Sequence, residues 1–373
     1  MTFLKNHKGY PEVPLIEIAT LKRGYDLPTQ NRADGNIPIF AANGQNGSHS
    51  EAKAFGPGVV TGRSGTIGKV HYVETDYWPL NTSLYVTNFH GNHPKWVFYM
   101  LQAFKLDRFV EGAGVPTLNR NLVHGEKIPL PPLAEQKRIA AILDKADSLR
   151  RKNQQAIQLA DQFLRAMFLD MFGDPVTNPK GWKEMTLSDV VKDGTIITYG
   201  IVQAGAEVEN GVPYIRTGDF KNGCLVKSGY ARTHSDIAAK FERSKVSTGD
   251  LVYCIRASIG SVDIVPKFLD GANLTQGTAK ISPGNNIKAE FLVEFLRTKG
   301  FRDWIDRYSK GATFKEITLE RLRVAPVLVP PLHIQEKFIA IRNKTLHAIQ
   351  TKTNMTEIPL FESLSQKAFA GEL

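Results

Sequence analysis

The chain repeats part of itself, and this limits its possible folds more than any other feature. Asp107-Arg108-Phe109, Gly112-Ala113, Pro131-Pro132-Leu133 and Gln136 return as Asp306-Arg307-Tyr308, Gly311-Ala312, Pro330-Pro331-Leu332 and Gln335, every residue 199 positions on. Ile128/Val327, Leu130/Val329 and Ile139/Phe338 keep their apolar character at the same offset. An offset held without a gap requires two related folding units. A length of 373 residues agrees, since one domain usually takes roughly 100 to 200.

Upstream of the fixed offset the copies agree in pattern. Gly58 to Val70 (GVVTGRSGTIGKV) and Gly249 to Val262 (GDLVYCIRASIGSV) both read as strand, polar turn, strand, because β-branched residues flank a Gly/Ser cluster. Ile37-Pro38-Ile39-Phe40 and Val212-Pro213-Tyr214-Ile215 precede them, and short helices are expected at Pro94 to Phe104 and Ala289 to Arg297.

Each copy then gives way to a long helix. From Ala134 to about Phe172 there is neither Pro nor Gly, and Ile139, Ile142, Ala146, Leu149, Asn153, Ala156, Ala160, Phe163 and Met167 follow alternating steps of three and four. That spacing is a heptad seam, with Asn153 as a polar register device. After the second copy Phe338, Ile341, Thr345, Ala348, Lys352 and Met355 repeat it, Pro359 interrupts, and Leu360, Leu364 and Ala368 resume. A lone seam is not stable in water, so an antiparallel pair of spacer helices is expected. Gly173-Asp174-Pro175, Asn178-Pro179 and Gly181 end the first helix before Trp182 opens the second copy. The expected fold is α+β: a mixed, strand-rich domain at 1–130, a spacer helix and linker at 131–175, a second domain at 176–328 and a second spacer at 329–373, related by pseudo-twofold symmetry.

Composition narrows the function classes. The net charge of +10 suits a polyanionic partner, and the two domains carry most of it, +3 and +5 against +1 in each spacer. No apolar run approaches the roughly 20 residues of a membrane span and the first residues lack the apolar centre of a signal peptide, so a cytoplasmic protein without membrane contact is expected. Cys224 and Cys254 form no CxxC pair and read as small buried hydrophobes, not as a disulfide or a metal site.

The run Ile128-Pro129-Leu130-Pro131-Pro132-Leu133-Ala134-Glu135-Gln136-Lys137-Arg138-Ile139, the long helix and Met171-Phe172-Gly173-Asp174-Pro175 closely resemble the DNA specificity subunit of type I restriction-modification systems. Gly62 to Gly68 and the terminal Ala368-Phe369-Ala370-Gly371-Glu372-Leu373 carry the same resemblance, which covers the chain in order. It implies two target-recognition domains that each read one half of a split target in double-stranded DNA. It also implies helices that hold the halves apart and dock methyltransferase subunits and a restriction translocase. No cofactor is then expected in this chain; S-adenosylmethionine, ATP and Mg belong to the partner subunits. The second copy departs at His333-Ile334-Gln335-Glu336, where the first has Ala134-Glu135-Gln136-Lys137.

Base edges are read by Arg, amide, hydroxyl and carboxylate side chains, and phosphates are held by Lys and Arg. The candidates in the first copy are Asn43, Gln45 and Asn46 in the amide-rich stretch 43–49, Arg63, Ser64 and Lys69 at the hairpin turn, and Asn119 and Arg120. Those in the second are Arg216, Lys221, Asn222, Arg256, Ser258, Lys310 and Lys315. The 43–49 stretch reads equally as a hairpin turn. Arg63 and Arg256, present in both copies, fit a phosphate contact or a loop brace better than base choice. Asp107-Arg108 and Asp306-Arg307 read as structural braces. Ile139, Ile142, Leu149, Asn153, Phe163, Phe338 and Ile341 are the candidates for helix pairing and subunit contact.

Catalytic motifs are missing at the level of sequence. Gly62 to Lys69 lacks the spacing and the final Ser/Thr of a phosphate loop, no G-x-G-x-x-G follows a strand, and no HExxH or zinc-finger spacing occurs. No Asn-Pro-Pro-aromatic run of the amino-methyltransferase type occurs either. The chain therefore reads as a non-catalytic recognition subunit. A self-sufficient DNA-modifying enzyme and a scaffold that binds only proteins are the alternatives.

Overall fold

The computed structural model describes residues 4–111, 116–311, 315–353 and 358–373. The chain separates into two compact units, 1–155 with 352–373, and 156–351. Both cuts fall inside long helices. The reason is packing: each helix end is built into the core of a globule.

Short 3-10 turns aside, the first unit runs β1 (Glu12–Pro14), α1 (Leu15–Ile18), β2 (Thr20–Arg23), β3 (Ile37–Ala41), β4 (Gly44–His49), β5 (Gly58–Gly62), β6 (Val70–Val73), β7 (Trp78–Pro79), β8 (Ser83–Asn88), α2 (Pro94–Ala103), β9 (Val110–Glu111), β10 (Thr117–Leu118), α3 (Arg120–Gly125) and β11 (Lys127–Pro129) before α4 (Leu133–Phe172). Its main sheet has the order β2-β8-β5-β6, a smaller one the order β4-β3-β7 with β3 and β7 parallel, and β1 pairs with β11. All five residues of β5 are buried, as expected of an inner strand covered on both faces.

The second unit runs β12 (Lys183–Thr186), β13 (Thr198–Tyr199), β14 (Val212–Ile215), β15 (Phe220–Lys221), β16 (Cys224–Leu225), β17 (Arg232–Thr233), α5 (Ser235–Ala239), β18 (Leu251–Cys254), β19 (Val262–Ile264), β20 (Asn273–Leu274), β21 (Thr278–Ile281), α6 (Ala289–Arg297), α7 (Lys299–Tyr308), α8 (Leu319–Arg323), β22 (Pro326–Val329) and α9 (Leu332–Thr353). Its sheets are β13-β21-β18-β19, β17-β14-β20 with β14 and β20 parallel, and β12-β22. Strand order and direction therefore repeat those of the first unit, although the sequences between Gly9 and Asn88 and between Gly181 and Ile281 have diverged. The β15-β16 hairpin is an addition of the second unit.

The helix ends explain the motifs around them. In the first unit Ile139, Ala140 and Leu143 of α4 share a core with Ala368 and Phe369 of α10 (Ile358–Ala370), and Phe369 and Phe361 meet Trp96 and Tyr99 of α2. In the second unit Phe168 and Phe172, at the other end of α4, pack against Phe291 of α6 and Phe338 of α9. Each globule thus buries the start of the helix that follows it together with the end of the other helical segment. The turn leading in is repeated too. Asn6 and Tyr10 exchange two hydrogen bonds of 2.8 Å, and Asn178 and Trp182 exchange the same two at 2.8 and 2.9 Å.

The seam of α4 is shifted from the expected one. Ile139 and Ala146 are buried and Ile142 is half-buried, but Leu149 and Phe163 are exposed, Phe163 by 46%. Leu143, Leu164, Phe168 and Phe172, off that seam, are buried as well. Steps of three to Ile142 and of four to Leu143 both return to the buried Ala146, so the phase departs only beyond it, where Leu164 and Phe168 are buried and Phe163 is not. Asn153 is half-buried, as are Ile341 and Thr345 on α9; Phe338 is fully buried, whereas Ala348 and Leu360 are exposed. Met355 lies outside the described residues. Pro359 sits in the first turn of α10, where its missing N–H costs nothing.

Candidate nucleic-acid interface

In each unit the loop tips gather on one turn. Leu80 to Ser83 joins the small sheet to the main sheet in the first unit, and Thr275 to Thr278 does so in the second. The N–H of Leu80 donates to Phe40 O (2.8 Å), that of Asn81 to Tyr25 O (2.9 Å) and that of Ser83 to Leu80 O (2.9 Å), while Thr82 O accepts from Arg63 N (2.9 Å). In the second unit Thr275 N donates to Ile215 O (3.2 Å), Gln276 N to Ile201 O (3.0 Å) and Thr278 N to Thr275 O (3.2 Å), and Gly277 O accepts from Ile255 N (2.9 Å). The buried hydroxyls of Ser83 and Thr278 bind the same carbonyls, Leu80 with Phe40 and Thr275 with Ile215. Gly24 and Gly200 let the neighbouring strand come this close, for a Cβ would stand 2.2 Å from Leu80 O and 2.1 Å from Leu274 O.

Around this turn the first unit brings together several of the expected residues. Ala42 N reaches Thr82 Oγ1, which sets Asn43 and the hairpin β3-β4 beside the 62–69 loop carrying Arg63, Ser64 and Lys69. Leu118 N donates to Arg63 O at 2.7 Å, adding Asn119 and Arg120 to the group. Asn43, Gln45, Asn46, Lys69 and Arg120 are exposed, and Arg63 and Ser64 are half-buried. The stretch 43–49 is therefore both a hairpin and an exposed amide surface. Asn119 caps α3 by accepting Asn121 N, and its amide donates one N–H to Glu111.

The second unit assembles Arg216, Arg256, Ser258 and Lys310 in the corresponding place. Ile317 N donates to Ile255 O, and Lys310 and Glu316 exchange backbone bonds. Arg256 is braced by Glu316, Nε to Oε2 at 2.8 Å, and Lys315 pairs with Asp306 at 3.3 Å. Arg216 is fixed by the buried Asp219, which takes its backbone N–H and its guanidinium and raises its pKa. Lys221 and Asn222 stand apart from this group. They form the tip of the β15-β16 hairpin, where Asn222 and Gly223 both have positive φ as a two-residue turn demands. That hairpin packs on Asp263 and Arg297.

The expected braces take different forms. Arg108 lies 4.9 Å from the ring centres of Phe104 and Phe109, whereas Asp306 holds Lys315. Cys254 is buried, and burial pushes its thiol up to about 12. Cys224 is exposed, contrary to the sequence reading, because it lies on the outgoing strand of the added hairpin. Among the described residues no cluster of His, Cys, Asp and Glu could hold a metal ion, and no helix is long and apolar enough to cross a membrane.

Sequence reasoning missed Asn81 and Gln276. The only sequence signal was a small or hydroxylated residue two positions later, Ser83 and Thr278, which is too weak to align the two turns. Tyr25 and Asp26 also went unnoticed; the Asn81 amide donates to the Asp26 carboxylate.

Two domains of one topology, with polar loops gathered on one repeated turn and long helices between and after them, define a tandem-domain recognition protein. The family model for the type I restriction modification DNA specificity domain matches residues 7–159 and again 179–358, and the chain belongs to that family. It is 26% identical over 294 residues to the EcoBI type I restriction enzyme specificity subunit of Escherichia coli, covering 69% of this chain and 61% of that one. It is 24% identical over 286 residues to the putative MjaX specificity subunit of Methanocaldococcus jannaschii, covering 72% and 64%. The chain thus matches under two thirds of the length of these relatives. The crystal structure of a type I restriction-modification S subunit from M. genitalium shares the fold, with a TM-score of 0.64, 15% identity and 99% of both chains covered.

Proposed function

We propose that this chain is the DNA-reading subunit of a type I restriction-modification enzyme and has no chemistry of its own. Each domain reads one half of a bipartite, asymmetric target in double-stranded DNA. The helices set the separation of the halves and dock the methyltransferase and restriction subunits. S-adenosylmethionine, ATP and Mg would be bound by those partners. The observation that carries the reading is the repeated turn: two globules keep one backbone and change the side chains displayed on it, as two readers of different half-sites require. Half-site spacing on a duplex is a geometric quantity, and one uninterrupted 40-residue helix of about 60 Å joining the readers is suited to fix it.

The test is a domain exchange. Purified chain with DNA and labelled S-adenosylmethionine should transfer no methyl group until the modification subunit is added. Replacing residues 176–328 by the same domain of a relative should then change one half-site of the methylated sequence and leave the other. Methylation by the chain alone would support an enzyme instead, and no dependence of the target on the exchanged domain would support a protein scaffold.

A further inference from the structure

We infer that Asn81 and Gln276 each read a base edge in their own half-site; this rests on the proposed DNA-reading function. The backbone groups of the turn are consumed by the bonds to Phe40, Tyr25 and Arg63, or to Ile215, Ile201 and Ile255, so the turn is rigid and its second side chain is the part left to face outward. In both units that side chain is a carboxamide, although the turns share no residue: Leu-Asn-Thr-Ser against Thr-Gln-Gly-Thr. Asn81 is half-buried and Gln276 exposed, and the turns touch the loops that carry Arg63 and Arg256. A carboxamide presents a donor and an acceptor side by side, the pattern that matches N7 and N6–H of adenine in the major groove.

The surroundings favour a base over a phosphate. Asn81 gives one N–H to Asp26, which keeps its other N–H and its oxygen available and fixes their direction. Asp26 is itself exposed, with one oxygen shared between Asn81 and Arg23, the latter at 3.6 Å, so its other oxygen can accept from an amino group on a neighbouring base. The position matching Asp26 in the second unit is Val202, also exposed. The same amide is therefore accompanied by an acceptor in one reader and by an apolar contact in the other, so the two half-sites are read differently from one backbone.

The experiment uses the full chain assembled with its modification subunit and a DNA library randomised in both half-sites, with methylated sequences counted. Asn81→Ala should relax one base pair in one half-site, and Gln276→Ala one in the other, each lowering discrimination about tenfold or more. Asn81→Asp and Gln276→Glu, which keep size but present only acceptors, should shift the preferred base at that position from adenine towards cytosine, an outcome that misfolding cannot give. An unchanged target in these variants, or a uniform loss of methylation without change of base preference, overturns the inference while the proposed function stands. A wild-type assembly that methylates no bipartite sequence overturns both.

Discussion

The side-chain oxygen of Gln136 accepts the backbone N–H of His93 at 2.9 Å, and Gln335 accepts that of Lys288 at the same distance. His93 and Lys288 are the N-caps of α2 and α6, and neither helix has a side-chain cap of its own at that position. Each glutamine also donates to the proline that begins its loop, Pro131 O at 2.9 Å and Pro330 O at 2.8 Å. The proline-Gln motif is thus a clamp between the long helix and the short helix of the globule. Both glutamines are buried, 2% and 0% exposed, so removing the amide leaves polar backbone without a partner. Gln136→Leu and Gln335→Leu should each cost about 1–3 kcal/mol in urea denaturation.

That clamp was visible in the sequence only as a coincidence of spacing. The offset of 199 located Gln136 and Gln335, but a buried amide and a solvated one look alike in sequence, and the partners lie more than forty residues away. The β-rich domains, the long helix and the loops at 63–69 and 256–258 were legible because period and turn chemistry are local. The bonds of Asn119 to Asn121 and of Arg216 to Asp219 were not, since residue type alone does not show which partner a polar side chain takes. The turn at Asn81 and Gln276 was hidden for a further reason: its identity is in backbone bonds, which different side chains support equally.

The phase of the long helix can be checked by truncation. Phe168 touches Phe172, Phe291, Phe295 and Phe338, so Phe168→Ala opens a cavity and should cost about 3–5 kcal/mol. Leu149, on the seam expected from sequence, is 36% exposed, and Leu149→Ala should stay within about 0.5 kcal/mol in the isolated chain. Equal costs at the two positions would restore the seam through Leu149.

Acid should loosen the start of the same helix. Arg138, bound at 2.7 and 2.8 Å, and then Lys8 at 3.0 Å hold the Glu135 carboxyl down to about 2 from its ordinary 4.5. A carboxyl whose folded value is depressed stabilises fully above its unfolded value and loses that contribution as pH falls through the folded one. The loss therefore begins near 4.5 and is complete only below about 2. Comparing wild type with Glu135→Gln by denaturation at pH 7 and pH 3, the difference should shrink at the lower pH. The effect is small because the Lys8 end of the cluster is open to solvent. A difference independent of pH would assign Glu135 a role other than its charge.

Charge on the proposed DNA-facing side differs between the two domains at one matched place. Arg256 is paired with Glu316, whereas the segment that bridges to Ser64 beside Arg63 carries Thr117. Both members of the Arg256–Glu316 pair are 44% exposed, so its loss should change stability by at most about 1 kcal/mol. Its effect on DNA should be larger, because a carboxylate beside the guanidinium offsets a phosphate contact. Glu316→Gln in the assembled complex should raise affinity for unrelated DNA and steepen the dependence of log K on log salt by about one unit, with the methylated sequence unchanged. Thr117→Glu should act with the opposite sign in the first domain. A salt slope that stays constant in both variants would remove Arg63 and Arg256 from the phosphate contacts and leave them as braces of their loops.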